Sequence, residues 1–182
     1  ARQALQLDEA SEDALYVLIR ILFSQGRYSD AVHTVDKNIE IDRDNPLLWY
    51  LRANAFWNTG EEQKAIDSFY TALSLQPSAE IPRIALEEFL LDRYVPDSDE
   101  RERAADVRFE YGQAYERDNR IELARQEYRR GLMLNPYSQE GRVMYATTFK
   151  RSNNIGKYLS ILEVLAEENR TNQEIRDEIE IY

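Results

Sequence analysis

GRYSDAV at residues 26–32 recurs as GEEQKAI at residues 60–66. The glycines that open the two stretches, Gly26 and Gly60, lie 34 residues apart. Self-similarity at a fixed period of roughly 20–50 residues is typical of repeat proteins, in which each repeat is one supersecondary unit stacked on its neighbours. The recurrence therefore predicts an array of structural repeats.

A second pair of stretches has the same period further along the chain. NRIELAR at residues 119–125 and NNIGKYL at residues 153–159 are also 34 residues apart. The step between the two pairs differs, because the distance from Ala65 to Ala124 is more than one period and less than two. The sequence therefore predicts two pairs of repeats with an interruption between them.

The repeats resemble the tetratricopeptide repeat, a helical hairpin of 34 residues. Residues 46–79 match its pattern of bulky, small, aromatic and turn positions through Trp49, Ala53, Phe56, Gly60, Ala65, Phe69, Ala72 and Pro77. Residues 105–138 match through Tyr111, Gly112, Tyr115, Asn119, Ala124, Tyr128, Gly131 and Pro136. Residues 12–45 and 139–172 match more loosely. The departures include two arginines at bulky positions and a tyrosine at an alanine position, namely Arg52, Arg108 and Tyr158.

The resemblance implies an all-α fold: a right-handed superhelical stack of antiparallel helical hairpins, a TPR-like α-solenoid with a one-helix insertion. We predict a single domain over residues 1–182. Its predicted parts are the end of a truncated repeat at 1–11, repeats at 12–45, 46–79, 105–138 and 139–172, a helix-plus-loop insertion at 80–104, and a terminal helix at 173–182. The chain is accordingly expected to be a fragment of a larger protein.

Glycine and asparagine are predicted to turn the chain within each hairpin, because both tolerate the left-handed conformation that ends a helix. These turn residues are Gly26, Gly60, Asn119 and Asn153. Pro77 and Pro136 are predicted to end the second helix of their hairpins, since proline cannot continue a helix.

The insertion at residues 80–104 is predicted to hold an amphipathic helix of about three turns that starts near Pro82. A loop at 95–101 follows, in which Asp97 is expected to cap the next helix. A single extra helix reverses the direction of the helices after it, so we expect it to lie obliquely. Two interpretations of the insertion stay open. It is either a packed connector, or a functional element that forms a wall of the groove or a self-association surface. A self-association surface would make the chain a homo-oligomer.

Composition argues against several classes of function. The net charge is −11, which disfavours binding to nucleic acid or to an anionic membrane surface. No apolar run approaches the roughly 18 residues of a membrane-spanning helix, so no membrane insertion is expected. The chain has no cysteine, which excludes disulfides and thiolate metal sites. A soluble protein of the cytoplasm or periplasm is expected, with the compartment undecided.

The charge is unevenly distributed near the end of the chain. Residues 139–162 carry a net charge of +3, and residues 163–182 carry a net charge of −5. These blocks are either solvated helix faces or, at the basic block, an electropositive strip suited to an acidic partner segment.

No catalytic constellation is found in the sequence. His33 is the one histidine, and it has no matching nucleophile pattern nearby. Adjacent carboxylates such as Glu61 and Glu62 diverge by about 100° on a helix and do not face one substrate. We therefore predict that the chain is not an enzyme, with no cofactor and no metal.

The resemblance implies that the first helix of each hairpin lines a concave groove. The predicted partner-binding residues are Tyr16, Arg20, Phe23, Tyr50, Asn54, Trp57, Phe109 and Gln113. The last repeat contributes Glu140, Val143, Thr147, Lys150 and Arg151. The aromatic residues either anchor a partner or belong to the core, since aromatic residues on helices are commonly buried. The basic and asparagine residues of a carboxylate clamp, as found in chaperone-binding members, are not present at the matching positions.

We therefore expect a non-catalytic protein–protein interaction scaffold that binds a partner peptide or protein in its groove. The alternative is a structural or self-associating module that spaces or oligomerises neighbouring domains.

Overall fold

Helices of similar length recur at the predicted period. The computed structural model describes the backbone of residues 2–182 and the side chains of residues 13–182. Its helices are α1 (Arg2–Ser24), α2 (Tyr28–Ile41), α3 (Pro46–Thr59), α4 (Glu62–Leu75), α5 (Glu80–Arg93), α6 (Asp99–Arg117), α7 (Ile121–Leu134), α8 (Gln139–Arg151), α9 (Ile155–Glu168) and α10 (Gln173–Glu180). The described residues form helices and no strand, which confirms the all-α prediction.

The turns between paired helices use the predicted residues. Gly26 and Gly60 have φ angles of 68° and 79°, and Asn119 and Asn153 have φ angles of 58° and 60°. These are left-handed conformations, which glycine and asparagine adopt at less cost than other residues. The four predicted turns are confirmed. The helices α4 and α7 also end shortly before Pro77 and Pro136, as predicted.

The start of α6 differs from the prediction. Ser98, rather than Asp97, is the N-cap residue, and its hydroxyl accepts a hydrogen bond from the backbone N–H of Arg101. The cap must directly precede the first helical residue, and α6 begins at Asp99. The predicted partial repeat at residues 1–11 lies outside the side chains that are described. Its boundary with the first repeat falls within α1, so that boundary stays a prediction.

The chain divides into two compact units, residues 1–89 and residues 90–182. In unit 1 the hairpins α1–α2 and α3–α4 follow each other, and apolar residues of α1, α2 and α3 form one core cluster. Its buried members are Ile19, Leu22, Ala31, Val35, Ile39, Leu48, Leu51 and Ala55. The small residues of the second hairpin, Ala53, Ala65 and Ala72, are fully buried, which is what close approach of two helices requires.

The part of α5 that belongs to unit 1 packs like the first helix of a further repeat. α3 and α5 each have 14 residues, and their first residues lie one period apart. The buried residues Pro82, Ala85 and Phe89 follow Leu48, Leu51 and Ala55 by one period. Residues 80–104 were predicted to lie outside the repeats, whereas these three positions of α5 continue the repeat register.

Phe89 of α5 is fully buried, so its side chain is not available as part of a self-association surface. Its ring lies 5.4 Å from that of Trp57 and 6.4 Å from that of Phe69, measured between centroids. A charged residue at this position would therefore disturb the core of unit 1. Self-association through residues 80–104 stays a prediction.

Arg52 links three helices of unit 1. Its Nε lies 2.7 Å from Asp36 Oδ1 on α2, and its Nη1 donates to Ser68 Oγ on α4 at 3.2 Å. Its guanidinium also lies 4.8 Å from the centroid of the Phe56 ring. Arg52, which departs from the family pattern, thus links consecutive hairpins through its ion pair with Asp36, while its cation–π contact with Phe56 lies within α3.

Unit 2 contains the hairpins α6–α7 and α8–α9, followed by α10. Arg108 is 1% exposed and pairs with Glu127 across the first hairpin at 2.8 Å. Arg125 joins the two hairpins, because its Nη2 donates to the Thr148 carbonyl at 3.0 Å. Arg101 is also buried, and it donates to the carbonyls of Met133 and Leu134 at the end of α7, both at 2.7 Å. These last carbonyls have no partner within α7, so the guanidinium satisfies them.

Candidate functional site

A groove crosses the first helices of unit 1. Its volume is about 590 Å³. It is lined by Asp13, Tyr16, Pro46, Leu47, Tyr50, Gln76, Ala79, Glu80, Ile81 and Pro82. The apolar side chains here are accessible to solvent, since Tyr16, Leu47 and Ile81 are 41%, 37% and 69% exposed. We refer to this feature as the unit 1 groove.

Two of the predicted site residues, Tyr16 and Tyr50, line the unit 1 groove. The Arg20 guanidinium lies 5.8 Å from the centroid of the Tyr16 ring. Tyr50 is half-buried, and burial raises the pKa of its hydroxyl, while a hydrogen bond with Asn54 acts in the opposite direction. The Asn54 amide also donates to the Tyr50 carbonyl at 2.8 Å. Four predicted residues are therefore neighbours on α1 and α3.

Phe23 and Trp57 do not line the unit 1 groove. The Phe23 ring packs edge-on against Tyr28 with 5.6 Å between centroids, and the Trp57 ring packs edge-on against Phe89. Both side chains are half-buried. Each is chiefly engaged with a neighbouring aromatic ring of its own unit.

Phe109 and Gln113 lie in unit 2. Phe109 is 6% exposed, and a Cβ added at Gly131 or Gly141 would lie 2.4 Å or 2.3 Å from its ring. Its ring is therefore enclosed by two helical glycines and belongs to the core, which was the second interpretation of the aromatic residues. Gln113 is exposed, with its amide nitrogen 3.7 Å from Met144 Sδ.

The residues that α5 contributes to the unit 1 groove were not predicted from the sequence. Glu80 and Ile81 follow Pro46 and Leu47 by one period, and all four line the groove. A signal was present, because the register of residues 46–79 continues into residues 80–89. It was obscured by Arg83, which stands where the second hairpin has a tryptophan.

A smaller groove in unit 2, of about 540 Å³, lies between α8, α9 and α10. Four of its lining residues are ones that the register predicted for the concave face, namely Glu140, Val143, Thr147 and Lys150. The terminal helix contributes Ile175, which is 7% exposed, and Glu178. In this groove α10 therefore already covers part of the predicted surface.

The predicted electropositive strip is largely neutralised within the chain. Lys150 pairs with Glu178 at 2.6 Å, and Arg151 pairs with Glu116 at 3.0 Å. A third basic residue, Arg142, pairs with Glu168. An acidic partner would have to displace these carboxylates, so the pairing makes the strip a poor docking surface.

Glu178 fixes α10 to the preceding hairpin. Its carboxylate accepts hydrogen bonds from Lys150 Nζ and from Tyr158 Oη, the latter at 2.8 Å, and these bonds lower its pKa. The same contact raises the pKa of Lys150. Burial, together with this hydrogen bond, raises the pKa of Tyr158 to about 12. Tyr158, at a position where the family has alanine, is thus an attachment point for α10.

The attachment of α10 is expected to depend on pH in a defined way. A lowered Glu178 pKa stabilises the contact above the ordinary glutamate value of 4.5, and this stabilisation is lost as the pH falls through the folded pKa. The raised pKa values of Lys150 and Tyr158 stabilise it below about pH 10, and this is lost as the pH rises through the folded values. We expect α10 to be held most firmly between about pH 5 and pH 10.

Amide hydrogen exchange in residues 173–180, corrected for the intrinsic rate at each pH, measures this attachment. Glu178→Gln is expected to exchange several-fold faster than the wild type at pH 7, because the charged acceptor is lost. Glu180→Gln is the matched control, since Glu180 is an exposed acid of the same helix. Equal exchange in both variants at pH 7 would show that the Glu178 contact does not hold α10.

Other kinds of site are not indicated by the described residues. His33 is exposed. Within residues 13–182, no group of three or more histidine, aspartate or glutamate side chains is arranged to hold a metal ion. No described helix is long and apolar enough to cross a membrane.

Family profiles described as tetratricopeptide repeat match residues 1–55, 47–78 and 83–138. Together they cover more than half of the chain, and the protein belongs to the tetratricopeptide repeat family. Members of this family bind protein or peptide partners and are generally non-catalytic, so the chain is classed as a protein–protein interaction scaffold. The third match begins within α5, in agreement with the buried residues of that helix that continue the repeat register.

Several solved structures are similar to the chain. YrrB, described as a TPR protein with an unusual peptide-binding site, is 18% identical, with 96% of this chain and 95% of that chain covered and a TM-score of 0.42. MamA from Desulfovibrio magneticus RS-1 is 16% identical, with 88% and 96% covered and a TM-score of 0.43. A thermophilic TPR protein from Thermus thermophilus is 16% identical, with 92% and 96% covered and a TM-score of 0.43. No curated protein matches the chain.

Proposed function

We propose that the chain binds a segment of a partner polypeptide in the unit 1 groove. The observation that carries this proposal is the set of accessible apolar side chains, Tyr16, Leu47 and Ile81, gathered around one concavity. Contiguous apolar surface in a concave site is costly to leave in water and is typical of binding sites.

The groove is suited to a peptide because three successive first helices form its walls. α1 contributes Tyr16, α3 contributes Leu47 and Tyr50, and α5 contributes Ile81. Side chains on separate helices present separate contact points, so a segment crossing the groove meets several anchors in turn. The half-buried Tyr50 ring lies 6.4 Å from the Phe69 ring between centroids, so it contacts the core of unit 1 while it lines the groove.

Tyr16 and Leu47 are the residues best suited to a test, because their exposure makes folding defects less of a concern than at Trp57 or Tyr50. Peptides selected from a displayed random library against the wild-type chain would serve as probes. The Tyr16→Ser, Leu47→Ser variant is expected to bind them at least about tenfold more weakly, since each lost anchor costs about 1 kcal/mol or more. Binding is measured by fluorescence anisotropy.

Ile41→Ser provides a matched control. Ile41 is 85% exposed at the end of α2 and does not line the unit 1 groove. Its replacement is expected to leave peptide affinity unchanged. If the groove variant and the Ile41 variant bind every selected peptide as tightly as the wild type, the unit 1 groove is not the binding site.

A further inference from the structure

The polar margin of the unit 1 groove carries one sign of charge. Asp13 and Glu80 line it, and both are exposed. A third exposed acid, Glu88, does not line the groove but lies on α5 about two turns after Ile81, on the same face of the helix, and it contributes to the raised pKa of the Tyr50 hydroxyl. No lysine, arginine or histidine is among the side chains described as lining this groove.

Two basic side chains near the groove do not offset these acids fully. Arg20 lies beside Tyr16, with 5.8 Å between its guanidinium and the ring centroid. Arg83 is 7% exposed, donates to the Pro77 carbonyl and pairs with Glu80 at 3.5 Å. Glu80 is therefore partly compensated by Arg83, and the three acids Asp13, Glu80 and Glu88 still outnumber the two basic side chains.

We propose that the unit 1 groove selects polypeptide segments in which a lysine or arginine lies beside an aliphatic or aromatic residue. The inference rests on the proposed function and adds the chemistry of the partner to it. The apolar side chain would pack among Tyr16, Leu47 and Ile81. The stem of the basic residue would follow the same apolar surface and bring its charge to the acidic margin.

Electrostatic complementarity would favour this class of peptide over other peptides of similar apolar content. An acidic residue in place of the basic one would be repelled by Asp13 and Glu88, and like charges brought together at an interface are strongly disfavoured. A cation near Tyr16 would also face an aromatic ring, which attracts cations. A purely apolar segment would gain neither contribution.

Three pools of synthetic peptides test the inference, each with the same randomised flanks around a fixed central pair. The pairs are Leu-Lys, Leu-Glu and Ser-Lys. The wild-type chain is expected to bind the Leu-Lys pool at least about tenfold more tightly than the other two at low salt. The preference for Leu-Lys over Leu-Glu should shrink in about 0.5 M NaCl, because salt screens charges at the exposed margin.

Charge reversal at the margin supplies the decisive comparison. The Asp13→Lys, Glu88→Lys variant is expected to reverse the preference and bind the Leu-Glu pool more tightly. Glu40→Lys, Asp67→Lys changes the net charge equally through exposed acids that neither line the groove nor act on Tyr50, and it should keep the wild-type preference.

The three ways in which the test can fail are distinguishable. If no pool binds the wild-type chain, the proposed function fails and this inference fails with it. If the Leu-Lys and Leu-Glu pools bind equally, and both lose affinity in the Tyr16→Ser, Leu47→Ser variant, the groove stands and the inferred charge preference is overturned. A reversal produced equally by the two charge variants would trace the preference to net charge and would also overturn it.

Discussion

Replacing Arg108 with methionine is expected to destabilise unit 2 by about 3 kcal/mol, because it leaves the Glu127 carboxylate without its main partner. Arg108 is 1% exposed and Glu127 is 15% exposed, so water cannot replace the lost contact fully. Breaking a buried ion pair costs about 3–5 kcal/mol, and the lower end applies here. Arg130 Nη1, 3.9 Å from Glu127, offers partial compensation.

Urea unfolding followed by circular dichroism measures this effect, and a double-mutant cycle isolates the pair. The Arg108→Met, Glu127→Met variant is expected to be more stable than Arg108→Met alone, because neither charge is then left buried and unpaired. If the double variant loses the sum of the two single effects, the ion pair makes no specific contribution.

The fold could be predicted because its decisive residues act locally. A glycine or asparagine in the left-handed conformation ends a helix whatever surrounds it, so Gly60 and Asn153 were readable in the sequence. The period then places the helix boundaries, and α2 and α4 start one period apart as the turns require. Helix starts were harder to place, since Ser98 and Asp97 are adjacent residues that can both cap.

The candidate site was predicted only in part, because the exposure of a side chain depends on the residues of neighbouring helices that pack against it. The register placed Tyr16 and Phe109 at equivalent positions, yet the first lines a groove and the second is buried. The difference comes from Gly131 and Gly141, which leave space that the Phe109 ring fills. Two glycines inside helices were a usable signal, since glycine there is disfavoured unless close packing requires it.

Long-range ion pairs could not be read from the sequence. The basic residues of 139–162 could equally have formed a free strip, and their partners lie far along the chain. Arg151 pairs with Glu116, 35 residues earlier, and Lys150 pairs with Glu178, 28 residues later. Such pairs become visible when the packing of successive hairpins is known.

Replacing Gly112 with alanine is expected to destabilise unit 2 by about 2 kcal/mol, although alanine has the better helix propensity. The added Cβ would lie 2.2 Å from Tyr128 Cε1 and 2.4 Å from Cδ1. The ring cannot move aside easily, because Tyr128 is fully buried and its hydroxyl donates to Glu116 at 2.7 Å. Alanine would relieve up to about 1 kcal/mol of backbone cost, which the steric overlap outweighs.

The midpoint of urea unfolding, compared across four further variants, separates the steric cause from a general helix effect. Gly156→Ala in α9 is expected to be neutral or slightly stabilising, because no atom lies within 4 Å of the added Cβ. Tyr128→Phe in the Gly112→Ala background should give no rescue, since the overlapping ring atoms remain. Tyr128→Leu in that background should recover part of the stability, measured against Tyr128→Leu alone, because the ring is gone. If Gly112→Ala is as stable as Gly156→Ala, the close approach of α6 and α7 at this point is wrong.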